Sequence, residues 1–354
     1  MQTTAHIHAI GTAIPTLEGH QAFVDWAEAR IPDPRMQKLF RRMASRSGID
    51  HRWTVIPAAP GGKTPADPGG FYAGDMPSTA ERMKLYAEAA PELALKAIDA
   101  LKAKVSIDGI THLVVASCTG FVAPGVDQII IDRLGLPDGI ERTLVGFMGC
   151  YAAVSALRVA HHIARSDPKA RILVVTVELC SLHLIATPEV ERLLAMLQFA
   201  DGAAAALVSA EPAGIAIEDF FAANLREGRE LIRWAIGDGG FEMHLSGEVP
   251  GRIATALRDP VLQAKILRGR DPTSVDWALH PGGRSIIDAV ESTLGLSPEA
   301  LEISRSVLAR FGNMSSATLM FVLADFMARP KAADGVALAF GPGLAAEGFH
   351  FRSA

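Results

Sequence analysis

Three side chains far apart in a chain of 354 residues could share one reaction: Cys150, His280 and Asn313. Cys150 stands in Gly146-Phe147-Met148-Gly149-Cys150-Tyr151-Ala152-Ala153, a glycine turn that runs into the apolar helical pattern Val154-Ser155-Ala156-Leu157-Arg158-Val159-Ala160. The pattern predicts a sulfur at the N-terminal end of a buried helix, where free N–H groups and the helix dipole favour a thiolate. A nearby imidazolium would favour it further, and the candidate is His280, in Trp277-Ala278-Leu279-His280-Pro281-Gly282-Gly283. Asn313 follows in Gly312-Asn313-Met314-Ser315-Ser316. A Cys-His-Asn set serves two reaction classes, acyl hydrolysis as in cysteine proteases and carbon–carbon bond formation on thioesters. In the first the Asn orients the His; in the second both side chains point donors at a thioester oxygen. The apolar stretch Ala317-Thr318-Leu319-Met320-Phe321-Val322 puts the Asn313 amide at the start of a buried helix. That placement suits a donor to an enolate better than a mere orienter.

The elements that must position these residues are readable as alternating patterns. Short apolar runs at 112–117, 172–177, 203–208 and 335–340 read as buried strands, with helical patterns such as Ala80 to Leu101 and Pro260 to Leu267 between them. This alternation predicts an α/β architecture with sheets covered on both faces. Glu211-Pro212-Ala213-Gly214 marks a boundary between an N-terminal half, 1–215, and a C-terminal half, 216–354. The first half holds Cys118, Cys150 and Cys180, and the second holds His280 and Asn313. Each half carries a small-residue turn followed by an apolar helix, so the site is expected to form across two similar halves. The segment from Pro57 to Gly70 reads as an exposed loop.

Composition excludes several functions. With 49% hydrophobic and 21% charged residues the chain is globular and well buried, and a net charge of −5 without an extended basic run argues against a nucleic-acid surface. Three cysteines are too few and too odd for a disulfide framework and point to a reducing compartment. The start, Met1 to His6, lacks a cationic region followed by an apolar stretch, and no segment reaches about 18 uninterrupted apolar residues. The expected location is the cytoplasm, with no membrane span.

Four segments together carry a resemblance. Gly149-Cys150-Tyr151-Ala152, His280-Pro281-Gly282-Gly283, Gly312-Asn313-Met314-Ser315-Ser316-Ala317 and Phe340-Gly341-Pro342-Gly343 resemble the signature segments of type III polyketide synthases, the chalcone synthase family, in that family's order and spacing. Weaker similarity runs from about Asp33 to the C-terminus. Any one segment would be weak evidence, whereas four in register are strong. The resemblance implies a thiolase-like fold of five αβαβα layers with two pseudo-repeated halves, a homodimer, and a buried cavity reached by a CoA tunnel. Cys150 would then accept a starter from acyl-CoA. His280 and Asn313 would bind the malonyl thioester carbonyl of malonyl-CoA, promote loss of CO2 and stabilise the enolate, while His280 pairs with the Cys150 thiolate. No metal or organic prosthetic group is implied.

The same resemblance assigns further roles. Phe199 matches a gatekeeper phenylalanine between tunnel and cavity, and Met243 replaces a second one. Cys118, Cys180 and His183 fall on positions that face the pocket, and Ser315 is counted with them. Arg42 and Arg46, read at i and i+4 on one helical face, match CoA-phosphate positions, although Leu39 replaces a lysine upstream. Ala123 stands where plant members place a methionine that crosses the dimer interface, and an ungapped register would put Trp234 where a glycine lines the starter pocket. These departures look bacterial and leave a pyrone, resorcinol, phloroglucinol or similar phenolic as the product. Competing readings are a ketoacyl-ACP synthase III-like enzyme of one condensation, which lacks His-Pro-Gly-Gly, and a non-catalytic acyl-CoA-binding protein of thiolase fold. Outside the resemblance, Cys180, His183 and Phe199 read as core residues and the two arginines as a solvated face.

Overall fold

All four apolar runs lie inside strands and both helical patterns inside helices in the computed structural model, which describes residues 3–225, 228–329 and 333–354. Met1 and Gln2 of the N-terminal stretch lie outside the described residues. The first half comprises β1 (Ala5–Ala13), β2 (Leu17–Glu18), α1 (His20–Glu28), α2 (Pro34–Ala44), β3 (Trp53–Thr54), α3 (Thr79–Lys102), β4 (His112–Ser117), α4 (Val126–Leu134), β5 (Glu141–Gly146), α5 (Ala152–Ser166), β6 (Arg171–Leu179), α6 (Val190–Gln198) and β7 (Asp201–Ser209). The second comprises β8 (Ile215–Asn224), β9 (Ile232–Gly237), β10 (Gly240–Leu245), α7 (Val249–Leu257), α8 (Pro260–Leu267), β11 (Asp276–Leu279), α9 (Arg284–Leu294), α10 (Glu302–Phe311), α11 (Ser316–Met327), β12 (Asp334–Gly341) and β13 (Ala345–Ser353).

Nine strands among the described residues hydrogen-bond in the order β11-β12-β13-β8-β1-β7-β6-β4-β5. Parallel pairs occur at both ends, β11 with β12 and β4 with β6 and β5, while the middle is antiparallel. The two halves meet where β1 pairs with β8 through Ala5 and Ile217, His6 and Ala216, and Ile7 and Ile215. Helices α5 and α11 pack against each other and against strands of both halves. That position explains why α11 is apolar nearly all round, with Ser316 to Leu323 buried as one run. Residues such as Ala153, Leu157, Leu319 and Phe321 therefore share one core with β1, β7 and β12.

The outer face of the first half is covered by α3, whose start is fixed by a Ser78–Glu81 capping box. It approaches β1 so closely at Gly11 that a Cβ there would stand 2.2 Å from the Leu101 backbone nitrogen and 2.4 Å from the Ala97 carbonyl oxygen. On the other side α7, α9 and α10 bury a second core around Trp277, Ile287 and Val290. Among the described residues no helix is long and apolar enough to cross a membrane. Backbone cannot retreat from a new methyl group as a flexible side chain can. Gly11→Ala is accordingly expected to destabilise the protein by about 3 kcal/mol in guanidinium unfolding, and an unchanged midpoint would contradict this packing.

Candidate active site

Cys150 sits in a short helical turn, Gly149–Tyr151, that feeds directly into α5. Gly149 has φ +71° and lies against Pro342, whose ring would come within 2.5 Å of any Cβ there. A side chain at Gly341 would likewise meet the Tyr151 ring at 2.6 Å, so the Phe340-Gly341-Pro342-Gly343 segment forms the back wall of the nucleophile turn. The helix start is where the sequence places it. Burial pushes the Cys150 thiol up to about 11, against hydrogen bonds from Ser315 and Asn313 that pull it down, while the Glu178 charge raises it. Removal from water outweighs the favourable donors.

Asn313 ties three segments together. Its backbone N–H donates to the Gln198 carbonyl at 2.8 Å, and its carbonyl accepts from Ala200 N–H at 2.9 Å. The side-chain oxygen accepts from Ser315 N–H at 2.8 Å, which fixes the amide so that Nδ2 is the free end. One Nδ2 proton goes to the Gly282 carbonyl at 3.1 Å, and the side chain also bonds Cys150. Asn313 thus touches both the nucleophile and the turn that carries His280, since Gly282 N–H bonds the His280 carbonyl at 3.0 Å.

His280 follows β11 and is 1% exposed. Neither ring nitrogen has a hydrogen-bond partner, and burial pushes the imidazole down to about 3. Burial thus works against both charges of the expected ion pair, the Cys150 thiolate and the His280 imidazolium, because each charge alone is costly in so dry a site. Unpartnered buried polar atoms are rare and costly, which makes them a mark of function.

Beside the nucleophile lies a carboxyl that the sequence reading passed over. Glu178 is fully buried, and burial raises its pKa despite donors from Ser316, Cys118 and Thr119. It accepts from Cys118 N–H at 3.0 Å, Cys118 Sγ at 3.4 Å and Thr119 Oγ1 at 2.8 Å. The signal for it was a lone acidic residue at the end of the otherwise apolar run 172–179. Cys118 Sγ also lies 3.2 Å from Ser315 Oγ. Cys118 and Ser315 consequently do not wall the large cavity as expected: Glu178 and the Cys150 side claim their polar atoms.

That cavity, of about 400 Å³, is lined by the expected Phe199, Cys180, His183 and Met243, and by Trp234. Much of the rest was not foreseen. Leu17, Phe23 and Trp26 from β2 and α1 form one wall, and Lys63 to Ala66 another, so the 57–70 segment is no mere exposed loop. Phe199 joins the cavity to the reacting groups, because its backbone bridges to Asn313. His183 is locked as a neutral tautomer: Nε2–H donates to the Thr119 carbonyl at 2.7 Å and Nδ1 accepts from Phe241 N–H at 3.0 Å. Burial pushes it down to about 3, and it stacks on Phe241 at 4.2 Å. A ring with both nitrogens occupied is a wall, not an acid or a base. Trp234 is pinned by its Nε1–H to the Cys118 carbonyl at 2.9 Å, which settles its place in the pocket.

Arg42 and Arg46 are exposed, away from this cavity. Helix α2 ends at Ala44, so Arg46 lies past the C-cap Ser45 and the two do not share a helix face as read; the turn bond from Arg46 N–H to the Met43 carbonyl holds it near. Arg284, at the start of α9, reaches the Arg46 carbonyl at 3.2 Å. The sequence reading omitted it.

Comparison with known proteins matches residues 1–212 to the N-terminal domain and 219–354 to the C-terminal domain of chalcone and stilbene synthases. The chain is 33% identical to the alpha-pyrone synthesis polyketide synthase-like Pks18 of Mycobacterium tuberculosis, over 99% of this chain and 91% of that protein. It is 32% identical to bisdemethoxycurcumin synthase of Oryza sativa subsp. japonica, over 96% of this chain and 90% of the other. Among solved structures, PKS-I of the brown alga Ectocarpus siliculosus superposes with a TM-score of 0.87 at 30% identity, with 100% of both chains covered. The C-terminal type III polyketide synthase domain of Steely1 from Dictyostelium does so at 0.89 and 26%, with 99% of each covered.

Two measurements follow from the buried rings. His280→Leu removes two unpartnered nitrogens and is expected to hold or raise the melting temperature; a drop of several degrees would show partners for the ring. His20, His161, His183 and His280 have folded values of about 4, 4, 3 and 3 against 6.5, so the unfolded chain binds more protons and stability falls as pH drops below about 6.5. Asp201, pushed up to about 6 by burial, and Glu178, also raised by burial, act in the opposite sense but are outnumbered. The melting temperature is therefore expected to be lower at pH 5.5 than at 7.5, and a rise would overturn the neutral assignment.

Proposed function

The chain belongs to the chalcone and stilbene synthase family and is a polyketide synthase, an acyltransferase of the condensing type; from that membership we propose that it makes α-pyrone products from an apolar acyl-CoA starter and malonyl-CoA, with Cys150, His280 and Asn313 as catalytic residues. One observation carries the assignment of residues. His280 carries two unpartnered buried nitrogens, and the Asn313 amide bonds both the Cys150 side chain and the Gly282 carbonyl of the His280 turn, an arrangement that a developing thioester oxyanion would complete.

The steps balance as follows. The Cys150 proton moves to a free His280 nitrogen, and the sulfur attacks the starter thioester carbonyl; the bond to CoA sulfur breaks and CoA leaves as its thiol, taking that proton. Malonyl-CoA then loses CO2, and the electron pair of the broken bond passes to the thioester oxygen, held by His280 and the Asn313 Nδ2–H. The enolate carbon attacks the acyl group on Cys150, and the sulfur leaves as thiolate. Charge is moved only when substrate supplies its counterpart, which suits a pair whose separate charges burial opposes. Dry walls then protect the β-keto chain from water.

Substrate selection follows from the cavity. Its apolar walls, including Leu17, Phe23, Trp26, Ile185 and Met196, and its volume of about 400 Å³ favour an extended alkyl starter. Phe199 and Met243 stand as its gate, with Cys180, His183 and Trp234 as shape-setting walls. For CoA we assign Arg42 and Arg46, with Arg284 in the role left open by Leu39. The architecture supports five layers, α3 and α4 outside, the β1-side strands, the shared pair α5 and α11, the β12-side strands, then α9 and α10, with halves at 1–215 and 216–354. The exposed edge strand β5, with Leu144 at 49% exposure and Phe121 at 41%, fits a homodimer contact. Three free, buried cysteines fit a cytoplasmic setting.

With malonyl-CoA and a series of acyl-CoA starters, the enzyme is expected to release CO2 and form pyrones by mass spectrometry; no product with any starter would sink the proposal. Cys150→Ala should block starter loading yet keep some malonyl-CoA decarboxylation, whereas Asn313→Ala should lower decarboxylation about 100-fold. Ala22→Phe, at the α1 wall, should lower kcat/KM for long starters about 10-fold and spare short ones; equal loss for both would place the acyl tail elsewhere.

A further inference from the structure

Arg52 takes no part in these steps, yet it is 7% exposed and reaches three parts of the site. Its Nη1 donates to the carbonyls of Phe199 at 2.8 Å and Met196 at 3.1 Å, and its Nε to His20 Nδ1 at 3.1 Å. The guanidinium lies 4.5 Å from the centre of the Phe23 ring in the cavity wall. Its stem passes the turn before Asn313 so closely that a Cβ on Gly312 would stand 2.9 Å from Arg52 Cγ. Glu18 and Asp201 act on the guanidinium through space, and the Glu18 carboxylate also accepts from the Arg52 backbone N–H at 3.3 Å. A rigid, forked cation directed at main-chain carbonyls fixes where those carbonyls stand.

Those carbonyls belong to the segment that carries Asn313. Gln198 accepts from Asn313 N–H at 2.8 Å and Ala200 N–H donates to the Asn313 carbonyl at 2.9 Å, so residues 198–200 and 313 move as one ribbon. We propose that Arg52 is a positioning residue for decarboxylation: by holding the Met196 and Phe199 carbonyls against the Gly312 turn it sets the Asn313 amide at the place where the enolate oxygen forms. The proposal rests on the reading of Asn313 given above. It differs from a purely structural role in predicting that decarboxylation suffers far more than starter loading, since the Cys150 backbone is held by its own turn against Pro342 and Asn313 reaches Cys150 at the side chain alone.

The test compares Arg52→Lys, Arg52→Gln and the milder His20→Leu with the unaltered enzyme. Malonyl-CoA decarboxylation is measured beside starter loading on Cys150, read by intact mass after acyl-CoA. The expected result is a fall of about 10- to 100-fold in decarboxylation kcat for both Arg52 variants, with little change in KM or in loading, because a small misplacement of a donor is enough. His20→Leu should fall less and in the same direction, and in a third variant, Arg52→Ala, expected to lose at least as much as the other two, a soluble ethylguanidinium ion admitted through the cavity that Arg52 lines should restore part of the loss. Unchanged decarboxylation, or decarboxylation and loading falling together with the melting temperature, would overturn the proposal. Normal decarboxylation in the Asn313→Ala variant would remove the reading of Asn313 itself, and the proposal with it.

Discussion

The side-chain oxygen of Asn313 accepts a short hydrogen bond from the Ser315 backbone and a longer one from the Thr318 hydroxyl, and most of the site depends on the first. An amide is nearly symmetric in shape, and only its partners decide which end is oxygen. With the oxygen held, the nitrogen is left to face Gly282 and Cys150, and the turn carrying His280 is drawn to the same place. The two halves of the chain contribute to this one point. Cys150 comes from the first and His280 and Asn313 from the second, and the 198–200 segment of the first half is hydrogen-bonded to Asn313 of the second.

Such a point is expensive to keep. Ser315 has φ +48° and Phe147 φ +56°, left-handed values that a side chain disfavours and that cost on the order of 1–3 kcal/mol each. The unpartnered imidazole and the buried Glu178 carboxyl add to that cost. What offsets these terms is the uninterrupted apolar contact of α5 and α11 with strands of both halves. Dry packing also works against charge on the thiol and the imidazole, so one property of the core bears on both stability and the chemistry of the site.

Legibility followed the range of the physics. Strands β4, β6, β7 and β12 were readable because burial on both faces demands an unbroken apolar run, and the Cys150 and Asn313 turns because small residues must precede a buried helix. Their charge could not be read, since desolvation depends on what the whole fold excludes. Arg52 and Glu178 were missed for a related reason: a single charge in sequence is usually a surface residue, and only tertiary structure shows one pointing inward. The walls of the cavity drawn from β2, α1 and the 57–70 segment are equally non-local. Arg46 shows the opposite error, a helical spacing carried past the residue where the helix ends.

Helix α11 has a consequence for how the protein is made. It covers β1, β6 and β7, strands that leave the ribosome far earlier, and it is followed only by β12 and β13. Until Ser316–Met327 has been synthesised, the inner apolar face of the first half lacks one of the two helices that cover it, α5 being the other, however complete its own strands are. The nascent chain must therefore keep a wide sticky surface waiting, and its closing contacts span most of the chain length. Truncation near the C-terminus would harm the N-terminal half as much as its own.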